Sequence, residues 1–240
     1  MHDILTKLIE YILEYNVRLR EFSKKLLEVI LLEIKLSVLI PSTPERLTYL
    51  ARMVSELDRQ SSQLPVEILV MIDNKQRSTG AKRNALVEQA QGEFVVFVDD
   101  DDRIETDYVQ TLLKTIDRNP NADCITFDVE VNLFGLEKKL TKFDVSFTNS
   151  HDDQYYYRKP NHIMCYSKRI SSQEKFLNLS YGEDDEWAMR ASKLIKDQVK
   201  ISRVLYYYDY VLKRPKNNTM LRNWENQLMK NAIDEPIDPI

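Results

Sequence analysis

The sequence predicts an α/β fold, a mainly parallel sheet with a mixed C-terminal half, preceded by a long N-terminal helix. Three observations carry this. Apolar runs of strand length alternate with helix-length amphipathic stretches in the order β-α-β-α-β, with the short connections typical of right-handed crossovers. The strongest run, Phe94-Val95-Val96-Phe97-Val98, is continuous, as in a strand buried on both faces. It leads straight into Asp99-Asp100-Asp101-Asp102, and open α/β sheets gather ligands beyond the carboxyl ends of their strands.

Residues 3 to 34 contain no Gly or Pro and read as one helix. Leu5, Leu8, Ile12, Tyr15, Leu19, Phe22, Leu26 and Val29 fall three and four apart, the spacing of a coiled-coil seam, so the helix is expected to form a homo-oligomer or to lie on its own domain. Leu36 to Pro41 is the first strand. Ser42-Thr43-Pro44-Glu45 reads as a hydroxyl cap with proline at the first helical position, opening a helix through Leu47, Leu50, Val54 and Leu57. Val66 to Asp73 is a second strand, and Gly80 opens a helix that carries Lys82, Arg83 and Asn84. Gly92 turns the chain into the central strand. Asp107 to Arg118 is a helix; Cys124 to Leu133 and Lys138 to Phe147 are strands joined near Phe134-Gly135, where the sheet turns antiparallel. Asp152 to Pro160 reads as a polar, tyrosine-rich loop and the most mobile segment. Residues 161 to 170 form a strand entering a turn or helix, Glu183 opens a helix to about Lys196, and Val199 to Val211 is the last strand. The expected units are residues 1–34, 35–212 and a polar tail, 213–240.

Composition narrows the function. A net charge of −4 gives no general reason to bind nucleic acid. No apolar run is long and uncharged enough to cross a membrane, and the N-terminus lacks a signal peptide's layout. Cys124 and Cys165 have no metal-binding or redox spacing. A cytoplasmic protein, with peripheral attachment to a membrane left open, is the expectation.

The acidic run carries the chemistry. Adjacent carboxylates about 5 Å apart repel by roughly 3 kcal/mol at an effective dielectric near 20, which a bound cation would relieve. Oxygen-only ligands suit Mg²⁺ or Mn²⁺, and such ions bind through one or two carboxylates plus substrate phosphates. A solvated acidic turn is the simpler alternative. Asp73 ends one strand and the acidic run the next, so a parallel sheet brings both to one crevice, with Lys82 and Arg83 just beyond to hold a diphosphate. A helix from Glu183 would turn Asp184 inward with Ala188, Ala191 and Ile195, where a shielded carboxylate could act as general base; acids are also common in first turns because they suit the helix dipole. Glu186 and Arg190, four apart, suit a surface pair.

These residues resemble the GT-A glycosyltransferases of the large inverting family 2 group, in the compact form found in bacteria and their viruses. The resemblance runs from about Lys35 to Val211. It rests on Val38-Leu39-Ile40-Pro41, Asp73-Asn74-Lys75, Gly80-Ala81-Lys82-Arg83-Asn84-Ala85-Leu86, Gly92-Glu93-Phe94 with the Asp run, and Gly182-Glu183-Asp184-Asp185-Glu186-Trp187. It implies the Rossmann-like fold of nucleotide-diphospho-sugar transferases and a hexosyltransferase activity. Pro41 and Asp73 would border the nucleotide base, and Arg83 would hold base or phosphate. Asp99 and Asp101 would be the two acids of the Asp-X-Asp motif, Asp99 nearer the ribose and Asp101 on the metal; Asp100 is counted with the donor-binding residues. Asp184 would be the catalytic base. His162 would line the acceptor side or join Asp101 and Asp99 at the metal. The implied partners are Mn²⁺ or Mg²⁺, a UDP-sugar donor, and a glycan, lipid-linked or protein acceptor. The chain departs from the family where Ser42-Thr43-Pro44 replaces Thr-Tyr-Asn and where Ser-X-Asp-Gly is missing after Asp73.

Two other readings compete. A sugar-phosphate nucleotidyltransferase would want a glycine-rich basic loop after the first strand, which Ser42-Thr43-Pro44-Glu45 does not supply. A non-catalytic coiled-coil assembly protein would not need Asp99 to Asp102 or Glu183-Asp184 intact.

Overall fold

The computed structural model describes residues 33–133 and 137–210. The N-terminal helix with its expected self-association, and the 213–240 tail, lie outside the described residues. Strand β1 (Leu36–Ser42) is central to the first half, pairing in parallel with β2 (Val66–Ile72) on one side and β3 (Phe94–Phe97) on the other. Leu36, Val38, Leu39 and Ile40 are wholly buried, as a strand covered on both faces requires. Helix α1 (Leu47–Ser61) and helix α2 (Thr79–Gln89) make the two crossovers.

The chain then passes through a two-residue strand β4 (Arg103–Ile104) and helix α3 (Tyr108–Arg118) into β5 (Cys124–Leu133). β6 (Glu137–Phe143) returns antiparallel to β5, as the sequence predicts. A short β7 (Ser150–His151) pairs with β8 (Tyr155–Arg158). β9 (Cys165–Ser167) lies antiparallel between β3 and β5, joining the two halves. A single turn, α4 (Lys168–Ser171), follows; then come α5 (Glu183–Ala191) with a 3-10 extension (Ser192–Leu194), and β10 (Gln198–Tyr210). β10 runs parallel to β5 along its length and pairs with β4 near its end. Among the described residues no helix is long and apolar enough to cross a membrane.

Three expectations need correction. Asp152 to Pro160 is not a free loop, because Tyr155–Arg158 joins β6 as a parallel neighbour and Tyr156 is buried there. Three consecutive tyrosines between polar flanks show no alternation of apolar and polar residues, which hides this strand in the sequence. The Ser42-Thr43 pair does not cap α1; the helix is entered through a 3-10 turn, Pro44–Arg46, and Thr43 makes no side-chain cap bond. The hydroxyl of Ser42 is instead drawn to Asp100. The helix after Gly182 ends at Ala191 rather than continuing regularly to about Lys196.

Gly80 and Gly182 shape the ligand end of the sheet. A side chain at Gly80 would meet the carbonyl oxygen of Leu177 at 1.9 Å, so only glycine lets the 176–180 segment pack on the start of α2. Gly182 has φ of 74°, the left-handed conformation that glycine adopts without strain, and it turns the chain into α5.

Candidate active site

The ends of β1 and β3, the start of α2 and the start of α5 surround a cleft of about 410 Å³. Pro41, Arg83, the four acids Asp99 to Asp102, and Asp184 all line it. Asp73 stands beside the cleft without lining it, tied by its carboxylate to the Lys82 ammonium (3.1 Å) and the backbone N–H of Arg77 (2.8 Å). Burial works against its charge, yet Lys82 and the backbone donors hold the Asp73 carboxyl below its ordinary range. Lys82 also donates to the carbonyl of Ser42 at 2.8 Å, so it joins the ends of β1 and β2. This lysine is buried and already doubly engaged.

The four acids have separate surroundings. Asp100 is 1% exposed, accepting from Ser42 and from the Arg46 Nε (2.6 Å). Arg46 also pairs with Asp101, which remains about a third exposed at the cleft. Asp102 is buried and accepts from the Tyr206 hydroxyl at 2.6 Å, while that same oxygen accepts the Asp99 N–H at 3.0 Å. Burial first, then the nearby Asp99 charge, pushes the Asp102 carboxyl well above its ordinary range. Asp99 faces the cations. Burial would raise its carboxyl, but the His162 imidazole and the guanidiniums of Arg83 and Arg46 outweigh that and hold it low. Two of the four acids thus build the loop, and Asp99 and Asp101 remain toward the cleft.

Arg83 links the loop to α5. Its guanidinium lies 3.3 Å from Asp99 and 3.0 Å from Glu183, between the rings of Phe97 and Phe176 at 5.5 and 5.6 Å. Both Arg83 and Glu183 are buried, so neither charge is screened by water. From α5, Asp184 is 8% exposed and turned inward with Ala188 and Ala191, whereas Asp185 is exposed. Glu186 pairs with Arg190 at 2.5 Å, as its spacing suggests. His162 sits between the two acids, with Nε2 3.6 Å from Asp99 and Nδ1 3.5 Å from Asp184. The ring is 5% exposed, and among the described residues neither nitrogen is within hydrogen-bond distance of a partner.

A second cavity, of about 250 Å³, is lined by His162. It shares Asp99, Asp102 and Tyr208 with the first cleft. Its walls come from the paired strands β5 and β6 (Val129, Val131, Thr141 and Phe143), with Met189 of α5 opposite. Thr141 Oγ1 and Asn161 Oδ1 are buried near it with no hydrogen-bond partner among the described residues.

A divalent ion fits the donor set only in company. Among the described residues no three His, Cys, Asp or Glu side chains cluster closely enough to hold one. Asp101 and Asp99 supply two carboxylates, which suits an ion whose remaining ligands are phosphate oxygens and water. His162 is placed between Asp99 and Asp184. Sequence reasoning missed Arg46, Glu183 and Tyr206. Glu183 carried a signal, as the partner of Asp184 in an acidic pair; Arg46 and Tyr206 carried none.

Residues 74–180 match the model of the glycosyl transferase family 2. The putative glycosyltransferase EpsH of Bacillus subtilis (strain 168) is 44% identical over 45 residues, 19% of this chain and 13% of that protein. S. aureus TarS 1–349, solved in complex with UDP, is 17% identical with a TM-score of 0.52, covering 73% of this chain and 60% of that one. The chain thus spans only a small part of EpsH and about three fifths of the TarS fragment, whose likeness shows the fold. The chain is thus similar to the family 2 glycosyltransferases over residues 74–180, and its strand-end acids and buried Glu183-Asp184 sit on a fold like that of the TarS fragment.

Proposed function

We propose that this chain transfers a sugar from a UDP-sugar to an acceptor hydroxyl with inversion, Asp184 acting as general base. The observation that carries this is the position of Asp184. It lines the first cleft, and a single imidazole separates it from Asp99, which lines both cavities. A donor in the first cleft and an acceptor in the second would therefore meet at Asp99, with Asp184 one imidazole away.

Pro41 borders the base and Asp73 accepts from it once Lys82 and Arg77 have oriented its carboxylate. Asp99 accepts from the ribose, and Arg83, braced by Glu183, offers positive charge toward the diphosphate. Asp101 and Asp99 would hold Mn²⁺ or Mg²⁺, which when bound neutralises charge developing on the leaving diphosphate. Asp184 takes the acceptor hydroxyl's proton as that oxygen attacks the anomeric carbon. The bond from that carbon to the diphosphate oxygen breaks on the opposite face, its electron pair leaves with UDP, and the configuration inverts. UDP is chosen because the TarS fragment of the same fold was solved with it.

Calorimetric titration with UDP, with Mn²⁺ and with EDTA, tests the donor half. Tighter binding with Mn²⁺, abolished in Asp101→Ala, is expected. Equal affinity in both conditions would remove the metal from this reading, and no binding in either would remove the nucleotide.

A further inference from the structure

We infer that Arg46 competes with the divalent ion for Asp101 and supplies its own charge to the diphosphate, so that it sets how much metal the donor needs. This rests on the proposed transfer, which puts metal and diphosphate in the first cleft. Three observations carry it. Arg46 ends the 3-10 turn Pro44–Arg46 and lines that cleft; its Nε donates to Asp100 at 2.6 Å, and a terminal nitrogen pairs with both Asp100 and Asp101. The two acids differ in what they can give up. Asp100 is 1% exposed and also accepts from Ser42, so it anchors the guanidinium, whereas Asp101, 34% exposed, is the partner with room to turn away. The loop backbone is held separately, because Arg52 of α1 donates to the carbonyls of Asp101 (3.2 Å) and Asp102 (2.8 Å). A change of partner at Asp101 therefore needs a side-chain rotation and no rebuilding of the loop.

Charge decides the direction of each effect. A guanidinium and a divalent ion on one carboxylate repel each other, so Arg46 weakens binding of the bare ion. A diphosphate beside them is attracted by both, and the planar guanidinium suits its oxygens. Arg83 cannot take this part. It is buried between Asp99 and Glu183 and wedged against two aromatic rings, while Arg46 is 27% exposed at the cleft and fixed on one side only, by Asp100.

Calorimetry on the full chain tests this with two probes used separately, Mn²⁺ without nucleotide and UDP in EDTA. Arg46→Gln loses the charge and keeps an amide to donate to Asp100. It should bind Mn²⁺ about fivefold or more tighter, and UDP in EDTA about fivefold or more weaker. The opposite signs separate this role from a structural one, since a damaged cleft would weaken both. Arg46→Lys keeps a counter-charge for the buried Asp100, and it covers the case in which urea unfolding shows that Arg46→Gln does not fold. Its single ammonium cannot hold two carboxylates as the guanidinium fork does. It should therefore keep UDP affinity in EDTA within about twofold and bind Mn²⁺ about twofold or more tighter than the wild type. In Arg46→Gln, both probes shifting in the same direction, or fewer than two shifting, would overturn the inference, as would a fivefold loss of UDP binding in Arg46→Lys. If wild-type UDP affinity is the same with Mn²⁺ as in EDTA while Arg46→Gln shows both shifts, the metal's part in the proposed transfer falls and the place of Arg46 in the cleft stands.

Discussion

The first cleft and the second cavity treat their polar groups in opposite ways. In the cleft nearly every charge meets a counter-charge from the protein: Asp100 with Arg46, Asp73 with Lys82, Arg83 with Asp99 and Glu183. Around the cavity, Thr141 Oγ1 and Asn161 Oδ1 are buried with no hydrogen-bond partner among the described residues. A charged ligand needs a frame that stays fixed as it arrives, and balanced ion pairs provide one. Asp99 and His162 lie at the seam, where both kinds of construction meet.

The seam predicts the largest effect. Asp99 lines both spaces, so Asp99→Asn should lower UDP affinity and reduce transfer about a hundredfold or more, in keeping with loss of a positioned charge at a reacting centre. Loss of only one function would mean the two spaces are not joined there. Next comes the frame of the cleft. Glu183→Ala leaves the Arg83 guanidinium buried with only Asp99 beside it, and breaking such a pair typically costs about 3 kcal/mol or more. Urea unfolding measures this, and a change below about 1 kcal/mol would show that the pair is not part of the frame.

A smaller effect tests the far end of the second half, where Asp123 clamps the start of β10. Its Oδ2 accepts the N–H of Lys196 (2.7 Å) and of Asp197 (2.9 Å), with Arg169 alongside. Burial opposes its charge, but those donors hold the Asp123 carboxyl below its ordinary range. The sign follows directly: a depressed folded pKa adds stability above the unfolded value near 3.9, lost as pH falls through the folded one. Asp123→Asn should cost about 2 kcal/mol at pH 7 and progressively less below about pH 4. A cost that does not shrink in acid would place the effect in packing rather than charge.

How much of this could be read from the sequence follows the same division. The β1–β3 half was legible because continuous apolar runs ending in acids need no partner to be recognised. Asp184's inward face was legible too, since helical spacing puts it in line with Ala188 and Ala191. The role of Ser42 was not, because a hydroxyl before proline reads as a cap and its partner Asp100 lies 58 residues away. The cavity was hidden for a related reason. Alternation along β5 and β6 marks strands, but which face turns toward empty space depends on α5 and on the β8 pairing, neither of which leaves a local pattern.

Of the acids in α5, Asp184 is the one proposed to take the acceptor's proton, and Asp185 is not. Asp184→Asn and Asp185→Asn, compared for UDP affinity and for sugar transfer, test it most directly. Asp184→Asn should bind UDP within about twofold of the wild type and lose transfer by about 10²–10⁴, the usual contribution of a general base, while Asp185→Asn keeps most of its activity. An active Asp184→Asn beside an inactive Asp185→Asn would contradict it.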